Sequence, residues 1–237
     1  MAESYFIFKG RDSRSMGVIS AGAAPIMRGE ERVEHVTIPG RAGELTQTEG
    51  DGIFNGYIQT VTISVKGAAH VREVMDWLTG EGYVTFSGER DRRQKSRIIG
   101  AVTLNKHAYN IDWWVGEVQF YCQPFKEKMQ DTAVEITTSG SMVLNGGDVT
   151  SFPRIVATAS GTSMTVAAGG KTLTVTGLTS GTKYVIDSDI MAVTLANGTG
   201  ALTKNSSGDF PALVPGPNTV TGSGWSKLVI DRRERFL

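Results

Sequence analysis

The run Val118-Gln119-Phe120-Tyr121-Cys122-Gln123, followed at once by Pro124-Phe125, constrains this chain more than any other stretch. With a side-chain period of two, Val118, Phe120 and Cys122 share one face of a strand, and Gln119 and Tyr121 share the other. The strand is led in by Ile111-Asp112-Trp113-Trp114-Val115-Gly116-Glu117. Proline has no N–H to give a ladder, so the strand is expected to stop at Pro124. The chain also changes character there. Residues 1–127 hold 15 Lys+Arg, 16 Asp+Glu and 8 Thr, whereas residues 128–237 hold 9, 8 and 17. Sparse charge with dense threonine fits a sandwich of short strands. Two domains are therefore expected, 1–127 and 128–237, with the crossing opening at Pro124-Phe125.

Length alone does not choose, since 237 residues suit one large β domain or two ordinary ones. A chain of this size buries about 70% of its unfolded surface and needs no covalent staples. The single cysteine, Cys122, excludes an internal disulfide and any multi-cysteine metal site, and its neighbours make it a strand-core residue. Formal net charge is zero, so nothing marks the whole chain as a binder of nucleic acid or anionic membranes. No apolar run approaches the ~20 residues of a membrane helix. Met1-Ala2-Glu3-Ser4 lacks the basic-then-apolar order of a signal peptide, which points to synthesis in a cytoplasm and no membrane insertion.

In domain one, Ser4 to Gly10 reads as a short strand closed by glycine, and Asp12, Ser13 and Gly17 as a turn before Val18-Ile19. Glu30 to Ile38 alternates, breaks at Pro39-Gly40-Arg41-Ala42-Gly43 and resumes at Glu44 to Thr48, the pattern of a hairpin. Its Gly-x-x-Gly has no following Lys-Ser/Thr and opens no helix, so it is a turn and not a phosphate loop. Asp51-Gly52 is another turn. Tyr57 to Val65 is the clearest strand, with Tyr57, Gln59, Val61, Ile63 and Val65 on one side. Ala68 to Thr79 is the only strong helix, capped by Gly80. Val71, Val74, Met75 and Leu78 form its apolar stripe, with His70, Arg72, Glu73 and Asp76 on the wet side. Trp77 lies off that stripe and either widens the core face or meets another chain. Tyr83 to Phe86 is a strand, Glu89 to Arg97 a charged hairpin tip, and Arg97 to Asn105 a strand.

Domain two reads as short strands with no helix: 133–137, 141–144, 153–158, 163–167, 172–176, 183–187, 192–195, 218–221 and 225–230. Asn145-Gly146-Gly147, Gly169-Gly170 and Asn197-Gly198 read as tight hairpin turns, which gives a sandwich or jelly roll. Arg232 to Leu237 reads as a charged strand end.

No catalytic, cofactor or metal set emerges. His35, His70 and His107 fall in different elements without ligand spacing. Gly222-Ser223-Gly224 is a broken form of Gly-x-Ser-x-Gly with no strand-turn-helix around it. Asp187 and Asp189 suit a sugar or a calcium ion, but a glycosidase needs a second carboxylate across a cleft, and such residues in a sandwich usually cap turns.

Five pieces nonetheless fall into one order: Phe6-Ile7-Phe8-Lys9-Gly10 with Met16-Gly17-Val18; Pro39 to Leu45; Trp77-Leu78-Thr79-Gly80; Val118 to Phe125; and Gly208-Asp209-Phe210-Pro211-Ala212-Leu213 with Pro215-Gly216-Pro217-Asn218. Over nearly its whole length the chain resembles the distal tail proteins of long, non-contractile-tailed bacteriophages. The resemblance implies a mainly β protein whose N-terminal domain forms a hexameric ring and whose second domain is a peripheral galectin-like β-sandwich. It implies a structural virion hub at the tail tip and no enzyme. The partners it implies are further copies of the chain, the major tail tube protein, the tail-associated tip protein, the tape measure protein and receptor-binding proteins. Lys9 departs from a small polar turn residue common in that family. Domain two has no room for inserted carbohydrate modules. A competing reading is a carbohydrate-binding adhesin acting through domain two, which needs an exposed aromatic platform; Trp225 and Tyr184 are its only large candidates. A glycan hydrolase is a third reading, disfavoured by the missing carboxylate pair.

Overall fold

A computed structural model describes residues 4–48, 52–107 and 112–237. Met1 to Glu3, Asp51 of the expected Asp51-Gly52 turn, and Ile111 at the head of the boundary strand lie outside them. The chain is mostly β and divides into two compact units, one running to Met129 and the other Gln130–Phe236.

The first unit contains β1 (Phe6–Phe8), β2 (Arg11–Asp12), β3 (Val18–Ser20), β4 (Val33–Thr37), β5 (Glu44–Thr48), β6 (Tyr57–Lys66), α1 (Ala68–Trp77), β7 (Glu81–Phe86), β8 (Arg92–Lys106) and β9 (Trp113–Lys128). An antiparallel sheet runs in the order β2-β1-β7-β8-β9-β6-β3, while β4 and β5 form a separate two-stranded ribbon. The period-two pattern of β6 is real: Gln59, Val61, Ile63 and Val65 are buried, and they oppose Phe120, Val118, Gly116 and Trp114 of β9. Val118, Phe120 and Cys122 are fully buried.

Pro124 does not end β9, which continues to Lys128. The register between β8 and β9 slips there, with Ser96 opposite Cys122 but Gln94 opposite Lys126. β6 has already run out at Tyr57, which pairs with Cys122. Pro124 therefore sits in a bulge where no ladder N–H is required of it, one of the few places a strand tolerates proline. Gln94 closes the bulge by donating from Nε2 to the Gln123 carbonyl, and its Oε1 accepts from the Tyr57 hydroxyl at 3.0 Å. The expected charged tip is likewise shorter than the sequence suggests. The turn covers Ser87 to Asp91, and Arg92 to Arg97 already belong to β8. Their alternation of charged and buried residues (Gln94, Ser96) is that of a strand.

Helix α1 ends at Trp77, with the Leu78 N–H donating to Val74 O at 2.9 Å and Gly80 in the left-handed region at φ 68°. Val74 and Leu78 are buried and Val71 is half-buried, but Met75 is 40% exposed. The core face is turned towards Trp77 instead. Its ring stacks on Phe6 with centroids 5.5 Å apart, and its Nε1 donates to Phe8 O at 3.1 Å. A large ring that finds both a flat partner and an acceptor outweighs a thioether at the edge of the stripe. Phe6, Phe8 and Phe86 each meet Phe120 edge-on, so this core is largely aromatic. Lys9 takes a positive φ of 51°, and its Nζ donates to the Thr79 carbonyl, tying the β1 turn to the end of the helix.

The second unit contains β10 (Val134–Ile136), β11 (Ser141–Asn145), β12 (Arg154–Ala159), β13 (Ser163–Ala168), β14 (Lys171–Thr176), β15 (Lys183–Asp187), β16 (Ala192–Leu195), β17 (Ser206–Gly208), β18 (Gly216–Ser223), β19 (Trp225–Asp231) and β20 (Arg235–Phe236). Two five-stranded sheets, β10-β19-β12-β15-β16 and β11-β18-β13-β14-β17, make a sandwich. Ile155, Ile186, Leu228 and Ile230 of one sheet share a core with Met164, Val166, Leu173 and Val220 of the other. Gly169-Gly170 is the expected β13–β14 hairpin turn, with φ 58° and 75°. Asn145-Gly146-Gly147 is not a hairpin: β11 pairs with β18, and the next strand, β12, lies in the other sheet. Asn145 is buried there, donating to Leu213 O at 2.8 Å and Val149 O at 3.1 Å while accepting from Gly147 N at 2.9 Å. It stabilises a crossover by the asparagine-turn mechanism.

Candidate functional site

The side chains that suggested chemistry in the sequence are separated or engaged. His35 and His70 are exposed in β4 and α1, and His107 is exposed after β8. Among the described residues, no group of three or more His, Cys, Asp and Glu side chains is arranged to hold a metal ion. Cys122 is fully buried, and burial pushes its thiol pKa up to about 12, far from the thiolate a nucleophile needs. Among the described residues, no helix is long and apolar enough to cross a membrane.

Asp187 and Asp189 belong to a clamp made by the C-terminal arginines. Arg233 grips Asp187 with two parallel hydrogen bonds of 2.8 and 2.9 Å, and Arg235 meets Asp189 at 2.5 Å. Arg232 pairs with Asp131 and lies 3.0 Å from the buried Glu234, whose Oε1 also accepts from Gly146 N at 2.9 Å. Burial raises the Asp187 pKa, but the guanidinium of Arg233 outweighs it and holds the carboxyl below its ordinary value. The charged tail is thus a stitch within this unit, and its carboxylates are already occupied by cations.

The aromatic candidates are equally committed. Tyr184 is 3% exposed, its hydroxyl accepting from Thr179 N at 2.9 Å; Trp225 is 9% exposed, its Nε1 donating to Thr165 O at 3.1 Å. Neither offers a face to a sugar ring.

What remains available is surface. On the outer side of the large sheet the rows Ile58–Tyr121–Arg97, Thr60–Gln119–Ile99 and Thr62–Glu117–Thr103 form an open wall that is mostly polar. In the sandwich, β11, β18, β13, β14 and β17 carry a single charged residue between them, Lys171, and β11 exposes Met142 and Leu144. In the β4–β5 ribbon every residue of β5 is exposed, and in β4 all but the half-buried Val33 and Val36. The threonine content announces the uncharged sheet; the exposed ribbon and the arginine stitch have no local sequence signal, because alternation looks the same on a buried and a bare hairpin.

No protein-family profile matches the chain, and a search of curated proteins gives no match. The fold is nevertheless shared with a solved structure. The SPP1 Dit protein, described as a paradigm of the hub adsorption apparatus in phages that infect Gram-positive bacteria, superposes with a TM-score of 0.79 at 20% identity over 99% of each chain. The chain therefore has the two-domain β architecture of that tail protein.

Proposed function

We propose that this protein is a distal tail protein: a structural virion component, without catalytic activity, that forms a hexameric hub at the tail tip of a long-tailed phage. In this reading the ring is built by residues 1–127. It joins the major tail tube protein and the tape measure protein on one side to the tail-associated tip protein and receptor-binding proteins on the other. The chain is made in the cytoplasm of the bacterial host. The observation that carries the reading is the likeness to the Dit hub over 99% of both chains. The open, mostly polar outer face of the large sheet is the second support, needed because fold alone does not assign function. The adhesin alternative has no such support, since Trp225 and Tyr184 are buried and Asp187 and Asp189 are paired with arginines. The test is the mass of the purified chain in solution by light scattering and native mass spectrometry. A six-fold assembly is expected. A monomer that binds glycans on an array would replace the hub with the adhesin.

A further inference from the structure

The sequence contains three Asn-Gly pairs: Asn55-Gly56, Asn145-Gly146 and Asn197-Gly198. Each carries the same latent chemistry. Glycine has no Cβ to shield its nitrogen or to restrict its dihedrals, so that nitrogen can reach the side-chain amide carbon of the asparagine before it. Asparagine is among the thermally labile residues for this kind of reason. The sequence ranks the three pairs equally, and the fold does not.

Two of the pairs are closed. Asn145 is buried, its Nδ2 is committed to Leu213 O and Val149 O, and Gly146 N donates to Glu234 Oε1 at 2.9 Å. Both the leaving amine and the attacking nitrogen are therefore held. Asn55 is half-buried, with its N donating to Glu30 O at 2.7 Å and its Oδ1 accepting from Arg32 Nε at 3.0 Å. A Cβ on Gly56 would lie 2.7 Å from both Cys122 O and the Tyr121 hydroxyl, so the peptide that links the pair has no room to turn.

The third pair is open. Ala196 to Gly200 are all exposed in the turn that follows β16. A Cβ on Gly198 would meet nothing within 4 Å. Asn197 Oδ1 accepts from Thr199 N at 3.0 Å and from Thr199 Oγ1 at 2.8 Å. Those donors draw electron density away from Cγ and sit where negative charge builds when a nucleophile adds there. The bond in the way is Gly198 N donating to Leu195 O at 2.9 Å, a turn bond at the surface that can open without moving the core.

We infer that Asn197 is a site of self-modification. Gly198 N attacks Asn197 Cγ and gives up its proton, the side-chain amide leaves as ammonia with that proton, and a five-membered succinimide closes. Water then adds to either ring carbonyl and opens the ring to aspartate or isoaspartate. One water is consumed, one ammonia is released, and nothing is oxidised or reduced. Each event gives the formally neutral chain a negative charge, and isoaspartate adds a methylene to the backbone beside β16, an edge strand of its sheet. The reaction needs no partner or enzyme, so it stands apart from the hub reading.

The experiment incubates the full chain in mildly alkaline buffer, folded and in concentrated urea, and follows all three asparagines by peptide mapping with mass spectrometry. In the folded chain Asn197 is expected to convert at least about tenfold faster than Asn55 and Asn145, whose reaction requires local opening, and urea is expected to bring the three rates together. Both aspartate and isoaspartate are expected at 197. Thr199→Ala keeps the backbone donor and loses the hydroxyl; it is expected to slow conversion by about two- to tenfold, the kinetic equivalent of one ordinary hydrogen bond, with the difference vanishing in urea. Conversion of Asn55 or Asn145 as fast as Asn197 in the folded chain, or an Asn197 that stays intact while the urea control converts, overturns the assignment. Aspartate alone overturns the ring route, and a folded Thr199→Ala chain that converts at the wild-type rate overturns the role of the hydroxyl.

Discussion

At the scale of single residues, the helix separates a buried position from an exposed one within a single turn. Leu78 is 1% exposed and Met75 40%. Leu78→Ala is expected to cost about 2–5 kcal/mol of the first unit's stability, and Met75→Ala less than about 1 kcal/mol. Urea midpoints of the two variants check this, and equal costs would mean that the helix packs in the phase its sequence suggests. Asp187 gives a prediction with a pH sign. Its folded-state pKa is held below the ordinary carboxylate value. The stabilisation it provides is therefore complete above about pH 4 and is lost as pH falls through the lower folded value. Asp187→Asn leaves the Arg233 guanidinium without its bidentate partner and is expected to cost about 1–3 kcal/mol at neutral pH, reduced from a fully buried pair because Arg233 is partly solvated. The variant should also lose stability less steeply than wild type as pH falls below about 4. Thermal unfolding across that range decides it.

At the scale of elements, Gly116 in β9 lies so close to β8 that an added Cβ would be 1.9 Å from the Thr103 carbonyl oxygen. This is where the β8–β9 register slips, with Ile99 opposite Gln119 and Thr103 opposite Glu117. Gly116→Ala must push the strands apart and is expected to cost about 1–3 kcal/mol, measured by denaturant unfolding. The same two strands show what the sequence reveals and what it hides. Alternation placed Val118, Phe120, Cys122 and the whole buried face of β6 correctly, because a period of two follows from backbone geometry wherever one face is buried. It misjudged Pro124, since whether a proline ends a strand depends on whether its neighbours need its N–H, and bulges are made by partner strands distant in sequence. It missed β17, whose Ser206-Ser207-Gly208 has no apolar residue to alternate; that strand exists because β14 supplies a ladder. The fate of Asp187 and Asp189 was not legible, because their arginine partners lie 46 residues away.

At the scale of the whole molecule, the first unit has its own helix and aromatic core, and the end of β9 is held by Met129 N donating to Asp91 O at 2.8 Å. A chain ending at Met129 is expected to fold and to form the same assembly as the full chain, whereas residues 130–237 alone are expected to remain a soluble monomer. Light scattering on both pieces at matched concentrations tests this; assembly by the second piece and not the first would assign the ring to the wrong half. Limited proteolysis between Phe125 and Ala133 is expected to leave two stable pieces. The sandwich, finally, is wired so that two of its latest strands are interior ones: β18 lies between β11 and β13, and β19 between β10 and β12. On a translating ribosome one sheet cannot close until residue 223 has emerged and the other not until residue 231, while strands β1 to β9 and the helix are already made about a hundred residues earlier. A nascent chain thus carries the strands and helix of the first unit ahead of a sandwich that still lacks an interior strand in each sheet, and those first elements are free to meet other copies before the second unit exists.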